Sequence, residues 1–256
     1  WQKKLFSIAK KNNLIPFSSP FHFEAVDFLE KINCPIYKVA SLENTFFPLI
    51  KKIIKTKKPI IVSTGASTFD EIKEIISFLK KNKCKNYAIL KCTSSYPSNL
   101  NDLNLKTIPE LKKKFKCIVG FSDHTKGLDS AIVAVSLGAK IIEKHITLNN
   151  SDKTVDSKFS ITPVELKKYI NKLKNAVDAM GSENIYLTES EKFARTRKRS
   201  IYLREDLEIN QKLNKNNICI IRPGHGLPSK YYDEVIGKRI VKKLIKGTPL
   251  KWSLLK

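Results

Sequence analysis

Six short apolar runs dominate the chain, each closing abruptly on a small hydroxyl or polar residue and each followed by a helical pattern. They are Leu14–Phe17 ending at Ser18-Ser19, Ile36–Ala40 ending at Ser41, and Pro59–Val62 ending at Ser63-Thr64-Gly65. Tyr87–Cys92 then ends at Thr93-Ser94, Cys117–Phe121 at Ser122-Asp123-His124, and Ala139–Lys144 at His145. Successive ends lie 22 to 30 residues apart, enough for one crossover helix and two loops between parallel strands. Strands too apolar to be half exposed, alternating with helices, predict the α/β class: a parallel sheet covered by helices, open or closed into a (β/α)8 TIM barrel. Six units are two short of a barrel, and the chain enters a helical pattern directly from Trp1. The expectation is therefore a barrel lacking its first two strands in this fragment, the runs being strands 3 to 8, with sheet edges that something must cover.

Helix signals agree. Ser67 with Asp70, ahead of Ile72, Ile75, Ile76 and Leu79, reads as a capped amphipathic helix. Thr162, Pro163 and Glu165 supply the N-cap, N1 and N3 positions of another, which stops at Gly181. Residues 182–199 turn to Ser, Glu, Thr and Arg and read as a linker. Beyond it, Ser200–Leu203 and Ile218–Ile221 read as short strands, with turns at Pro223-Gly224-His225-Gly226 and Gly247-Thr248-Pro249. The expected division is 1–181, 182–199 and a small β-rich domain over 200–256, marginal on its own.

A hydrophobic share of 41% excludes a disordered chain. No apolar run approaches the roughly 18 residues of a membrane helix, and the start lacks a signal-peptide pattern, so a cytoplasmic location is expected. The formal charge of +24 raises nucleic acid as a partner. All six arginines, however, lie after residue 194, whereas nucleic-acid surfaces lean on arginine forks and stacking aromatics. The lysines read as a solvated surface whose field favours an anionic small substrate, with no nucleic acid and no membrane. The five cysteines are odd in number and lack ligand spacing, and read as reduced, buried thiols.

Barrels present their chemistry at the carboxyl ends of the strands. Here those ends supply Ser19, Lys38, Ser41, Glu43, Ser63, Ser94, Tyr96, Ser122, Asp123, His124 and His145. Hydroxyls and a lysine suit phosphate or carboxylate oxygens, and two imidazoles on neighbouring strands can share one divalent metal while leaving positions open. His22, past a strand end in a loop, reads as structural. Lys38, inside an apolar run, must be paired with an anion or lose its proton. It either holds a substrate anion or is the Schiff-base lysine of an aldolase.

Ser18-Ser19-Pro20-Phe21, Tyr37-Lys38-Val39-Ala40-Ser41, Ser63-Thr64-Gly65, Lys91-Cys92-Thr93-Ser94-Ser95-Tyr96-Pro97, Gly120-Phe121-Ser122-Asp123-His124-Thr125 and Glu143-Lys144-His145 together resemble the nonulosonic (sialic) acid synthase family. Ile221–Leu227 and Gly247–Trp252 resemble that family's carboxyl-terminal antifreeze-like (SAF, β-clip) domain. The resemblance implies a metal-dependent condensation of phosphoenolpyruvate with the open-chain aldehyde of an acetamido sugar, with loss of phosphate. It implies that His124 and His145 bind the metal, manganese first, with magnesium or cobalt as substitutes. Lys38, Ser41, Ser63, Ser94, Ser19 and Ser122 would hold phosphoenolpyruvate, Ser94 replacing the Asn of some members. Glu43, Tyr96, Asp123 and Asp156 would face the sugar or the metal. Arg222 would reach across a domain-swapped homodimer, formed through the SAF domain, into the partner's mouth.

The segment Asp152-Lys153-Thr154-Val155-Asp156, then Phe159-Ser160, Arg199–Tyr202 and Gly226-Leu227-Pro228, look like the pseudaminic branch, whose sugar is a 2,4-diacetamido-2,4,6-trideoxy hexose. N-acetylneuraminic and legionaminic acid synthases are the alternative. The family's strand 1 carboxylate and strand 2 lysine would lie upstream of Trp1, so this fragment alone is expected to be inactive. Asn210 stands where a Gly usually turns the small domain, and Asn accepts left-handed angles. A lysine aldolase explains neither the histidine pair nor the terminal domain. A noncatalytic basic carbohydrate- or nucleic-acid-binding protein leaves the ordered hydroxyls to coincidence.

Overall fold

The computed structural model describes residues 1–151 and 154–256; Asp152 and Lys153, part of the branch-like segment, lie outside the described residues. The chain divides into two compact units, Trp1–Gly181 and Ser182–Lys256.

In the first unit α1 (Gln2–Lys11) and α2 (Phe23–Lys31) precede β1 (Tyr37–Val39), α3 (Phe47–Lys55), β2 (Ile60–Ser63) and α4 (Phe69–Lys81). β3 (Tyr87–Cys92), α5 (Thr107–Phe115), β4 (Ile118–Asp123), α6 (Asp129–Ser136), β5 (Ile142–Lys144) and α7 (Pro163–Met180) follow. Among the described residues the strands form one parallel sheet in the order β1-β2-β3-β4-β5. A doubly wound sheet reverses its order at a switch point; this one never reverses, and it winds as half of a (β/α)8 barrel. One set of alternating strand residues, including Tyr37, Val39, Ile60, Val62, Ile89, Val119 and Phe121, is buried against Leu29, Ile53, Ile75, Leu79 and Ile108 of the helices. Each such Ile or Leu contributes roughly 1.5–3 kcal/mol by burial, so this core fixes which strand face is left for chemistry.

The first apolar run departs from expectation. Among the described residues it makes only an isolated parallel bridge, Ser18 to Tyr37, and Leu14 and Ile15 are exposed. Pro16 has no N–H to give a ladder, yet the Ser18 carbonyl still accepts from Lys38 N–H at 3.1 Å and carries Ser19 alongside β1. α4 is capped one residue later than read, by Thr68 in a reciprocal box with Glu71. Ser67 instead accepts from Asn44 Nδ2 at 2.7 Å. α7 starts as expected on Thr162, Pro163 and Glu165 and ends at Gly181.

In the second unit, residues 182–199 are not bare linker: Thr188 and Glu191 box the start of α8 (Glu189–Arg195). β6 (Ser200–Leu203) pairs antiparallel with β7 (Ile218–Ile221), and α9 (Tyr232–Val235) follows. Ile201, Leu203, Leu213, Ile218, Val235, Ile240 and Leu250 form this unit's own core. Asn210 takes the left-handed conformation at φ +69°. All five cysteines are free, and among the described residues no helix is long and apolar enough to cross a membrane.

Candidate active site

The strand face turned away from the helices opens, at the carboxyl end of the sheet, on a cavity of about 450 Å³. Its walls are the residues that alternate with the helix-facing set: Lys38 of β1, Ser63 of β2, Cys92 of β3, Ser122 of β4 and Glu143 of β5. Segments at the strand ends add Ser19, Ser41, Tyr96, His124 and His145.

Lys38 is only 8% exposed, and its Nζ lies 3.2 and 3.3 Å from the two oxygens of Glu143. Glu143 also accepts from Ser122 Oγ at 2.5 Å. The anion expected beside Lys38 is thus present in the chain itself. Sequence reading passed over Glu143 as a site residue, although it stands two positions before His145 on one strand and so shares its face. The Ser63 hydroxyl, 2% exposed, has no hydrogen-bond partner among the described residues. Ser41 Oγ accepts from Gly65 N–H at 3.1 Å, which leaves its own proton to donate. Ser94 crowds the same side of Gly65, its Oγ 3.9 Å from Cys92 Sγ. Asn44, buried on the turn after β1, donates to the Ser63 carbonyl at 3.0 Å and steadies this loop.

The His124 and His145 rings lie 5.2 Å apart, centroid to centroid, at 62°. Tyr96 packs 4.3 Å from His124. Phe159, 2% exposed, sits 5.0 Å from His145 and 5.6 Å from Tyr96, so the imidazoles are held in an aromatic cluster. His124 Nδ1 faces the Thr93 carbonyl at 3.2 Å, with Cys92 Sγ at 3.9 Å. His145 Nδ1 lies 3.4 Å from Asp156 Oδ2. Neither Nε2 has a partner among the described residues. One ring nitrogen fixed by a carbonyl or carboxylate while the other stays open is the arrangement that metal-bound imidazoles adopt.

Among the described residues no group of three or more His, Cys, Asp or Glu is arranged to hold a metal ion. A cation placed here would find two imidazole nitrogens of the protein, with its other positions open to water and substrate oxygens. Burial, then the neighbouring His124, pushes the His145 pKa down, the direction that suits an imidazole offered to a metal. Burial acts the same way on His124, but the contacts with Cys92 and the Thr93 carbonyl outweigh it and raise that pKa.

Asp123 is a correction: it does not face the mouth. It alternates with Ser122 and is fully buried on the helix side of β4. There it accepts from Thr125 N–H (2.9 Å), Thr125 Oγ1 (2.7 Å), Ser130 Oγ (3.2 Å), Tyr169 OH (3.0 Å) and Lys144 Nζ (3.0 Å). Glu43 sits on the short helical turn Ser41–Glu43 and is not among the residues lining the cavity. Asp156 joins the site through His145. Arg222 lies in the second unit, exposed just after β7. His22 caps α2, its Nδ1 accepting from Ala25 N–H at 3.2 Å, the structural role expected.

Residues 1–185 match the NeuB family and residues 198–256 match the SAF domain. The pseudaminic acid synthase of Campylobacter jejuni is 38% identical over 251 residues, covering 98% of this chain and 73% of its own length. The N,N'-diacetyllegionaminic acid synthase of the same organism is also 38% identical, over 92% of this chain and 72% of its own length. The crystal structure of the N-acetylneuraminic acid (sialic acid) synthetase of Leptospira borgpetersenii, in complex with citrate, superposes with a TM-score of 0.72 at 32% identity, covering 75% of this chain and 67% of that one. Winding and similarity agree, and the chain belongs to the NeuB family, its NeuB part followed by a SAF domain.

Proposed function

We propose that this protein condenses phosphoenolpyruvate with a 2,4-diacetamido-2,4,6-trideoxy hexose in its open-chain form, giving a nonulosonic acid and inorganic phosphate, as a pseudaminic acid synthase. The observation that carries the reading is the meeting, in one cavity, of an oxyanion cradle and a pair of open imidazoles. Lys38 and the Ser41, Ser63, Ser94, Ser19 and Ser122 hydroxyls would hold the carboxylate and phosphate of phosphoenolpyruvate. In the reaction the methylene carbon of the enol bonds to the aldehyde carbon, water adds to the neighbouring carbon, and the carbon–oxygen bond to phosphate breaks. His124 and His145 would hold a divalent cation, manganese in first place, which when bound polarises the sugar carbonyl. Tyr96 and Phe159 would shield the reacting end of the sugar from bulk water. Asp156 would keep the His145 ring turned so that Nε2 faces the mouth.

The same reading carries a (β/α)8 barrel for the synthase domain and a homodimer in which Arg222 of the SAF domain recognises substrate in the partner's mouth. It also carries a cytoplasmic location. Equal identity to a legionaminic acid synthase supports a second reading with the epimeric sugar. The test is a product mass on the natural protein given phosphoenolpyruvate, manganese and either diacetamido sugar or a 6-hydroxy acetamido hexose. Product from the first sugar, lost on chelation and absent in His124→Ala, is expected. Product only from the 6-hydroxy hexose, or turnover untouched by chelator, would overturn the reading.

A further inference from the structure

Gly65 follows β2 by two residues, behind the cavity-lining Ser41 and Cys92, and its surroundings explain why no side chain stands there. Its φ lies outside the left-handed region, so the backbone itself does not require glycine. Space does. A Cβ built on Gly65 would overlap the Ser94 hydroxyl outright and sit 2.7 Å from Ser41 Oγ and 3.1 Å from Cys92 Sγ. The glycine is buried, and its N–H orients Ser41 Oγ at 3.1 Å. Asn44 holds the loop from both ends, at the Ser63 carbonyl and at Ser67 Oγ.

We infer that Gly65 is a positioning residue: its missing side chain lets the Ser41 and Ser94 hydroxyls converge, next to the strand end that carries the unpartnered Ser63 hydroxyl, into a cradle for an anion of phosphate size. The inference rests on the reading of this cavity as the phosphoenolpyruvate site. The atoms a Cβ would meet first are ends of short rotatable side chains, not backbone. Alanine at this position is therefore accommodated by swinging the two hydroxyls away, which spares the fold and removes the cradle. Neither imidazole is among the atoms such a Cβ would meet first; its one link to them runs through Cys92 Sγ, which lies 3.9 Å from His124 Nδ1.

Calorimetric titration with phosphoenolpyruvate and, separately, with manganese decides it, on wild type, Gly65→Ala, Ser94→Ala and the double variant. Gly65→Ala is expected to weaken phosphoenolpyruvate at least about tenfold, roughly 1.4 kcal/mol, with manganese affinity and melting midpoint close to wild type. The double variant is expected to lose less than the two single losses combined, because both changes act on the same hydroxyl. Unchanged phosphoenolpyruvate affinity in Gly65→Ala, additive losses, or a parallel loss of manganese affinity or of the fold would each overturn the inference. Wild-type protein that takes up no phosphoenolpyruvate would instead overturn the functional reading beneath it.

Discussion

Asp123 and Lys144 are opposed across the parallel β4–β5 pair, and their side chains meet at 3.0 Å with almost no exposure on either. Each is the chain neighbour of one of the two histidines. Because strand residues alternate, the register that pairs Asp123 with Lys144 on the helix side delivers His124 beside His145 at the mouth. Lys144 Nζ also donates to the carbonyl of Thr125, the residue after His124. The buried ion pair thus belongs to the scaffold of the site, and its charges are committed to each other.

Removing one partner should be costly. Lys144→Met leaves a buried carboxylate with its neutral donors but no countercharge, and is expected to destabilise the protein by about 3–5 kcal/mol. Adding Asp123→Asn removes the stranded charge while the amide oxygen still accepts from Thr125 or Tyr169. The double variant should therefore be more stable than Lys144→Met alone. Urea midpoints of the three proteins check this, and a double variant that is weaker still would mean the carboxylate matters for more than its charge.

The strand ends were legible because apolar runs report burial on both faces, and the turn chemistry after each run marks where burial stops. What was not read was parity within a run. Glu143 and His145 share a face, as do Ser122 and His124, and that alternation alone turns Asp123 inward to the helices and Glu143 outward to the mouth. Lys38 was legible as a buried cation in need of an anion; the anion's identity was not, since Glu143 lies on the far strand of the sheet. The Leu14–Phe17 run has strand composition without a ladder, a difference set by partners rather than by propensity. The shift of the α4 cap from Ser67 to Thr68 is likewise tertiary, because Asn44 takes the Ser67 hydroxyl.

Acid should unfold the protein through carboxylates that the fold holds ionised. At Glu30 burial works to raise the pKa, but the Lys58 and Tyr37 donors at 2.5 and 2.6 Å outweigh it and leave it lowered. A depressed folded-state pKa means stability that is present in full above the unfolded carboxylate value of about 4.3 and is lost as pH falls through the folded value. Glu24, Glu71, Glu165 and Glu191 are shifted in the same direction, mainly by hydrogen bonds at helix starts. Wild type should therefore lose stability steadily as pH falls below about 4.3. Glu30→Gln should be less stable at pH 7 and show a shallower acid limb, read from urea midpoints at pH 7 and pH 3.5. An unchanged slope would show that Glu30 titrates alike in the folded and unfolded chain.

Glu143 pairs with Lys38 inside the cavity, and this makes a prediction of unusual sign. A substrate phosphate or carboxylate entering the cavity competes with Glu143 for the Lys38 ammonium and is repelled by its charge, since both of its oxygens lie within 3.3 Å of Nζ. Glu143→Gln keeps the shape and can still accept from Ser122 and Lys38, but deletes the competing charge. Phosphoenolpyruvate should then bind more tightly, by about tenfold or roughly 1.4 kcal/mol, and the gain should shrink as salt screens the repulsion. Lys38→Met should do the reverse, leaving Glu143 as an unopposed anion facing the ligand and abolishing measurable binding. Calorimetric titration of both variants at low and high salt separates the outcomes. Weaker binding in Glu143→Gln would mean that the carboxylate serves chiefly to aim Lys38, with its repulsion of the ligand the smaller effect.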